Sequence, residues 1–162
     1  MCGITGFIGN ENAYIQILAG LYQLQNRGYD SAGISVIEDG EIKTHKYAST
    51  DTLSALTQLS EFENQYENRF VGIGHTRWAT HGAKTDTNSH PHVSHDGLFS
   101  LVHNGIIENF QEIKKRLMEK GIEMKSQTDT EVIVNLIAVH FEECGDVEKA
   151  IKQTSEELTG TW

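Results

Sequence analysis

The sequence predicts an α+β fold or a layered α/β arrangement, and three observations carry that expectation. Strand-like and helix-like segments follow one another in mixed order. Asp39-Gly40 separates two strand-like runs, a strong two-residue hairpin signal. The 162 residues, 38% hydrophobic and 8% aromatic, suit one domain with a packed interior rather than a disordered chain.

Residues 2–8 read as a short strand with glycines at 3 and 6, and glycine in a strand often marks a close approach to the backbone. Residues 12–26 read as a helix, because Tyr14, Ile17, Leu18 and Leu21 recur at i, i+3, i+4 and i+7. Gly28 is placed as its C-cap. Residues 31–37 and 41–47 form the hairpin strands, and Asp51 is set to cap a helix reaching Leu59. Residues 70–76 read as a buried strand. Residues 77–97 show no period, and a connection of that length inside a domain is usually functional or disordered.

Residues 98–103 read as a further strand that ends in Asn104-Gly105. Asn109 with Glu112 resembles a capping box for a helix to Lys120, with Gly121 behind it. Residues 122–126 are expected as a short strand. Thr128 with Glu131 repeats the capping-box pattern before a long helix to Cys144, and a last helix covers residues 146–158.

Charge and composition exclude several classes of function. Lys and Arg number 13 against 23 Asp and Glu, a net charge of −10, which argues against nucleic acid or an anionic membrane as the main partner. No apolar run approaches the roughly 20 residues of a membrane span. Met-Cys-Gly-Ile-Thr-Gly lacks the basic and apolar regions of a signal peptide. Two cysteines cannot build a multi-disulfide framework, so a reducing, cytoplasmic setting is expected.

Four places carry candidate chemistry. Cys2 becomes the N-terminal residue if Met1 is removed, and it then holds a nucleophilic thiol beside an α-amine that can serve as a base near neutral pH. The competing reading is a chance cysteine near a start site. Asn104 and Gly105 can supply a side-chain amide and a backbone N–H to a developing oxyanion, or they can form an ordinary tight turn. In residues 75–82, Arg77 can clamp a carboxylate, Trp78 can cover a small ligand, and Thr80 and His81 add donors. That segment can equally be a solvated loop anchored by one tryptophan. Asp129 can accept from a ligand ammonium or simply favour the positive end of its helix.

His90, His92, His95 and His103 match no zinc spacing, so a hydrogen-bonded cluster is expected rather than a metal site. Cys144 reads as a buried, inert thiol. Together the four places supply a nucleophile, a base, oxyanion donors, a carboxylate clamp and an ammonium acceptor. That set suits attack on the side-chain amide of an α-amino acid.

Five ordered blocks make the chain resemble a known family. Met-Cys-Gly-Ile-Thr-Gly-Phe-Ile-Gly opens it, and Arg-Gly-Tyr-Asp-Ser-Ala-Gly follows at 27–33. Then come His75 to Gly82 with His90-Pro91-His92, His103 to Asn109, and Thr128 to Val132. These blocks look like the class II glutamine amidotransferases. Tyr29-Asp30 and Trp78-Ala79-Thr80-His81 look like the amino-sugar-forming branch. The purine-pathway branch usually has Gln-Glu and Arg-Tyr-Ser-Thr at those places.

The resemblance implies a four-layer αββα N-terminal-nucleophile hydrolase sandwich, shortened on its C-terminal side because such domains continue past residue 162. It implies L-glutamine as substrate and no cofactor. It implies that Cys2 attacks the carboxamide, with Asn104 and Gly105 forming the oxyanion hole. Arg77 and Asp129 would hold the α-carboxylate and ammonium of glutamine. Trp78, Thr80 and His81 would belong to a loop over the substrate, and Arg27 would organise the nucleophile. It also implies a C-terminal sugar isomerase domain, absent here, that takes the ammonia for fructose 6-phosphate. A shortened sandwich leaves sheet edges open to homodimerisation. A chain that kept Met1 would instead be silent.

Overall fold

The computed structural model describes residues 2–79 and 82–162, so the expectations for Met1, Thr80 and His81 lie outside the described residues. The chain folds as two compact units, Met1–Pro91 and His92–Trp162.

The first unit is a four-stranded antiparallel sheet with helices on it. Its strands are β1 (Gly3–Ile8), β2 (Ser31–Glu38), β3 (Glu41–Ala48) and β4 (Val71–Arg77), in the order β1-β4-β2-β3. The hairpin forms where expected: Asp39 (φ 52°) and Gly40 (φ 83°) both take the positive φ that a type I′ turn requires. Helix α1 (Ala13–Leu24) starts at Asn12, whose side chain accepts from the N–H groups of Tyr14 and Ile15. Its face of Tyr14, Ile17, Leu18 and Leu21 is buried with Ile34 and Val36 of β2 and with Leu56 and Leu59 of α2 (Ala55–Ser60). Each such aliphatic burial contributes about 1.5–3 kcal/mol.

The other face of β2 runs against backbone. A Cβ at Gly33 would stand 2.2 Å from the His90 carbonyl oxygen, so only glycine fits there.

Three local expectations for this unit are corrected. Ser54, not Asp51, caps α2, because Thr50 and Leu53 close on each other through hydrogen bonds and delay the helix start. Gly28 is extended (φ −170°) rather than a left-handed cap. The helix ends instead in a 3-10 turn, Gln25–Arg27, closed by the Gly28 N–H on the Gln25 carbonyl. The strand expected from residue 70 runs through Arg77, one residue further than its reading.

The second unit packs α3 (Phe110–Glu119), α4 (Asp129–Cys144) and α5 (Val147–Glu157) with two short antiparallel ribbons. One ribbon pairs β5 (His92–Val93) with β6 (Ser100–Leu101), and the other pairs β7 (Ile106–Ile107) with β8 (Gly160–Thr161). Residues Thr130 to Val139 of α4 are all buried, which makes it the central helix. Ile107, Ile113, Leu117, Val132, Leu136 and Leu158 form the core around it.

Here the unperiodic 77–97 segment includes β5, and the strand expected over 98–103 shortens to β6. Residues 122–126 form no strand. The N–H groups of Lys125 and Ser126 donate to the Glu131 carboxylate, which removes them from any ladder. Asn109 makes no helix-capping bond, because its side chain is engaged by residues at and beyond the end of α5. Gly121 (φ 88°) ends α3 as expected, and the Ile122 N–H returns to the Leu117 carbonyl. Cys144 is half-buried, not buried, and its thiol donates to the Asp146 carbonyl.

Candidate active site

Sheet register builds the first part of the site. Gly3 lies opposite Thr76, and Arg77 lies opposite Ser31. The start of β1, the start of β2 and the end of β4 therefore converge, and they bring Cys2, Asp30, Arg77 and Trp78 to one end of the sheet. The Trp78 N–H donates to the Cys2 sulfur at 3.2 Å, and the thiol faces the Trp78 carbonyl at 3.7 Å. Gly28 packs on the same backbone, since a Cβ there would meet the Arg77 carbonyl carbon at 2.8 Å. Arg27, one residue earlier, is solvent-exposed on the 3-10 turn.

Arg77 is buried, and its Nη1 reaches the Ala83 carbonyl at 3.5 Å. Trp78 is 42% exposed and meets the Tyr29 ring edge-on at 5.3 Å. A partly exposed indole with one edge fixed is a surface that a small ligand can meet.

Asp30 was not singled out from the sequence as a site residue, yet it holds this corner together. It is buried, its N–H donates to the Arg77 carbonyl, and its Oδ2 accepts from the Ala79 N–H at 2.8 Å. Its Oδ1 is ion-paired with Lys84. Burial pushes the Asp30 carboxyl upward, but the Lys84 hydrogen bond, the Ala79 N–H and the charges of Lys84 and Arg77 outweigh it and hold the group below its usual range. The same hydrogen bond raises Lys84. An acidic residue in a tyrosine-containing turn carries no sequence signal for these contacts.

Asn104, Gly105 and Asp129 fall in the second unit. Gly105 lies where the chain leaves β6 for β7, against the terminal strand: a Cβ there would stand 2.0 Å from the Thr161 carbonyl oxygen. That approach leaves its backbone no alternative to glycine. His103 braces the turn. A carbonyl can only accept, so His103 Nε2 donates to the Thr161 oxygen at 3.0 Å, and Nδ1 meets the Thr130 hydroxyl at 3.2 Å. The Ile106 N–H donates to the Thr161 hydroxyl. Asn104 is exposed. Asp129 opens α4, and its Oδ2 accepts from the Ile107 N–H at 2.9 Å, so one carboxylate oxygen fixes β7.

The other histidines sit in separate contacts. His90 stacks on His75 with centroids 4.3 Å apart. His92 Nε2 meets the Thr128 hydroxyl at 2.9 Å, and His95 donates to Asn135. Among the described residues no group of three or more His, Cys, Asp or Glu side chains is placed to hold a metal ion. No helix there is long and apolar enough to cross a membrane.

An α+β fold with a cysteine held at the start of its first strand is the N-terminal-nucleophile hydrolase type, and comparison with known proteins agrees. The glutamine amidotransferase domain family matches residues 52–152, and the chain belongs to that family. The curated relatives are more particular. Over 162 residues the chain is 46% identical to the glutamine–fructose-6-phosphate aminotransferase (isomerizing) of Caldanaerobacter subterraneus subsp. tengcongensis, covering all of this chain and 26% of that protein. It is 45% identical to the protein of the same name from Pyrococcus horikoshii, with the same coverage. The chain thus spans about a quarter of the length of the curated relatives it matches.

Two solved structures share the fold at 27% identity. The glutamine phosphoribosylpyrophosphate amidotransferase from B. subtilis, complexed with ADP and GMP, superposes with a TM-score of 0.75, covering 99% of this chain and 33% of that one. A structure described as the allosteric regulatory enzyme of purine biosynthesis gives 0.79, covering 99% and 34%.

Proposed function

We propose that this chain is the glutaminase part of an aminotransferase that makes glucosamine 6-phosphate from fructose 6-phosphate. The observation that carries the reading is the Cys2 thiol, held on the Trp78 backbone beside the buried Arg77. With Met1 removed, the Cys2 sulfur attacks the glutamine carboxamide carbon, and its proton passes through the α-amine toward the leaving nitrogen. The carbonyl oxygen becomes an oxyanion, for which Asn104 and Gly105 are the donors. The C–N bond breaks, ammonia departs, and a thioester remains on Cys2. Water then adds to the thioester, the C–S bond breaks, glutamate leaves and the thiol is restored. Arg77 takes the substrate α-carboxylate and Asp129 its ammonium. Trp78, Thr80 and His81 would belong to a loop that closes over bound glutamine, and Arg27 would organise the nucleophile.

The ammonia acceptor is a sugar isomerase domain beyond this stretch of sequence. The amino-sugar branch is favoured over the purine branch by 46% against 27% identity and by Tyr29-Asp30 and Trp78-Ala79. A cytoplasmic setting suits two cysteines that are not joined in a disulfide. A homodimer through an outer strand of the four-stranded sheet, β1 or β3, completes the reading. Light scattering of the purified chain checks the dimer.

The test of the reaction is glutamate release. The processed chain yields glutamate from glutamine, and Cys2→Ala yields none. Equal turnover in that variant ends the proposal. When the chain is joined to its isomerase domain, fructose 6-phosphate rather than phosphoribosyl pyrophosphate takes the nitrogen.

A further inference from the structure

The turn before α4 is closed by a carboxylate that has no part in the chemistry above. Glu131 is buried in the first turn of the helix, and both of its oxygens are taken by neutral donors. Oε1 accepts from the Lys125 N–H at 2.8 Å, and Oε2 accepts from the Ser126 N–H and the Ser126 hydroxyl, each at 2.6 Å. The Ser126 hydroxyl oxygen accepts in turn from the Thr128 N–H at 3.2 Å, and the Thr128 hydroxyl accepts from the Glu131 N–H at 3.4 Å.

A glutamate three residues after a helix cap ordinarily returns to the N–H of the cap itself. Here it reaches past Thr128 to Lys125 and Ser126, and the Thr128 N–H goes to Ser126 instead. Residues 125–131 therefore form a ring closed through one side chain. A buried carboxylate answered only by neutral donors costs desolvation, so its contribution is fixed geometry more than stability.

Asp129 lies inside that ring, half-buried at the first position of α4. The Ile107 N–H holds its Oδ2 at 2.9 Å, and its Oδ1 takes no hydrogen bond from any other described residue. The ring fixes the Asp129 backbone and β7 fixes one oxygen, which leaves the second oxygen preset as an acceptor. A cation meets such a group without first having to order it.

We infer that Glu131 is a positioning residue: by closing the turn over residues 125–131 it fixes the Asp129 carboxylate for the substrate ammonium. This rests on the glutaminase reading, in which Asp129 receives that ammonium. Glu131 acts only through Asp129, so its loss should weaken glutamine binding and leave the chemical step nearly alone.

The experiment is steady-state glutaminase kinetics on the full chain with Met1 removed, for the unsubstituted protein, Glu131→Gln, Asp129→Asn and the double variant. Glu131→Gln keeps the size of the side chain but turns an amide N–H against a backbone N–H, so the ring opens. It is expected to raise KM for glutamine about three- to tenfold, with kcat within about twofold, as one lost hydrogen bond would. Asp129→Asn keeps an oxygen for Ile107 and removes the charge, and it should raise KM about tenfold or more. The double variant should stay within about twofold of Asp129→Asn, because nothing is then left to position. Ser126→Ala opens the same ring more gently and should show the same split and the same dependence on Asp129. It decides the matter if urea unfolding shows that Glu131→Gln does not fold. An unchanged KM in the folded ring variant, a fall in kcat alone, or effects that multiply with those of Asp129→Asn overturn the inference while leaving the glutaminase reading intact. An unchanged KM in Asp129→Asn overturns the ammonium assignment and this inference with it. No glutamate from the unsubstituted chain overturns the glutaminase reading as a whole.

Discussion

The backbone N–H of Trp78 meets the Cys2 sulfur at 3.2 Å, while the Trp78 indole packs edge-on against the ring of Tyr29. Backbone holds the thiol, and the side chain is left for another task. Replacing the indole therefore separates the two. Trp78→Ala should leave iodoacetamide alkylation of Cys2 within about twofold, yet raise KM for glutamine about three- to tenfold, the worth of one aromatic face. Peptide mapping of the alkylated protein and initial-rate kinetics check both halves. A collapse of alkylation with unchanged KM reverses the assignment.

The Asp30 carboxyl titrates lower in the folded chain than in the unfolded one. A depressed carboxyl contributes stability that is fully present above its unfolded value, about 3.9, and is lost as pH falls through the folded value. Asp30→Asn removes that contribution. Urea unfolding should show the variant weaker than the parent at pH 7 and pH 5 by a constant amount, and the gap should close below about pH 4. A gap that persists undiminished at about pH 2.5 contradicts the ion-paired geometry.

Asn109 ties the start of α3 to the end of α5. Its Nδ2 donates to the Glu157 carbonyl at 2.8 Å, and its Oδ1 accepts from the Thr159 N–H at 3.0 Å. Asn109→Ala loses both bonds and should cost about 1–3 kcal/mol in urea unfolding. Asn109→Asp keeps the acceptor and loses the donor, so it should fall between. A residue that merely capped α3 would be rescued by aspartate in full.

At Gly33 the β2 backbone runs so close to the His90 carbonyl that a methyl group has no room. Gly33→Ala must push backbone rather than a flexible side chain, and a loss of about 3 kcal/mol or more is expected, at the upper end for overpacking. A thermal melt matching that of the parent would show that the segment near His90 yields.

Much of the first unit was legible because its signals are local. Asp39-Gly40 dictates a tight turn, and the apolar spacing of Tyr14, Ile17, Leu18 and Leu21 dictates a helix with one buried face. Two of the errors share a cause: a group read in one local role is taken by another partner. Asn109 reads as a cap until Thr159 claims it, and residues 122–126 read as a strand until Glu131 takes the amides of Lys125 and Ser126. The candidate site was legible only as residue types: Cys2, Asn104, Gly105, Arg77 and Asp129 are groups that the proposed amide hydrolysis would use. What supports them was not. Asp30 with Lys84, and His103 with Thr130 and Thr161, are pairings across 54, 27 and 58 positions, which no periodicity encodes.

The central claim is that Cys2, with Met1 removed, is the N-terminal nucleophile that attacks glutamine. Intact-mass measurement before and after treatment with a glutamine-analogue electrophile tests it most directly. The expected result is a chain lacking Met1 that gains one adduct, mapped to Cys2, and is protected by excess glutamine. A chain that retains Met1, or an adduct confined to Cys144, contradicts the account.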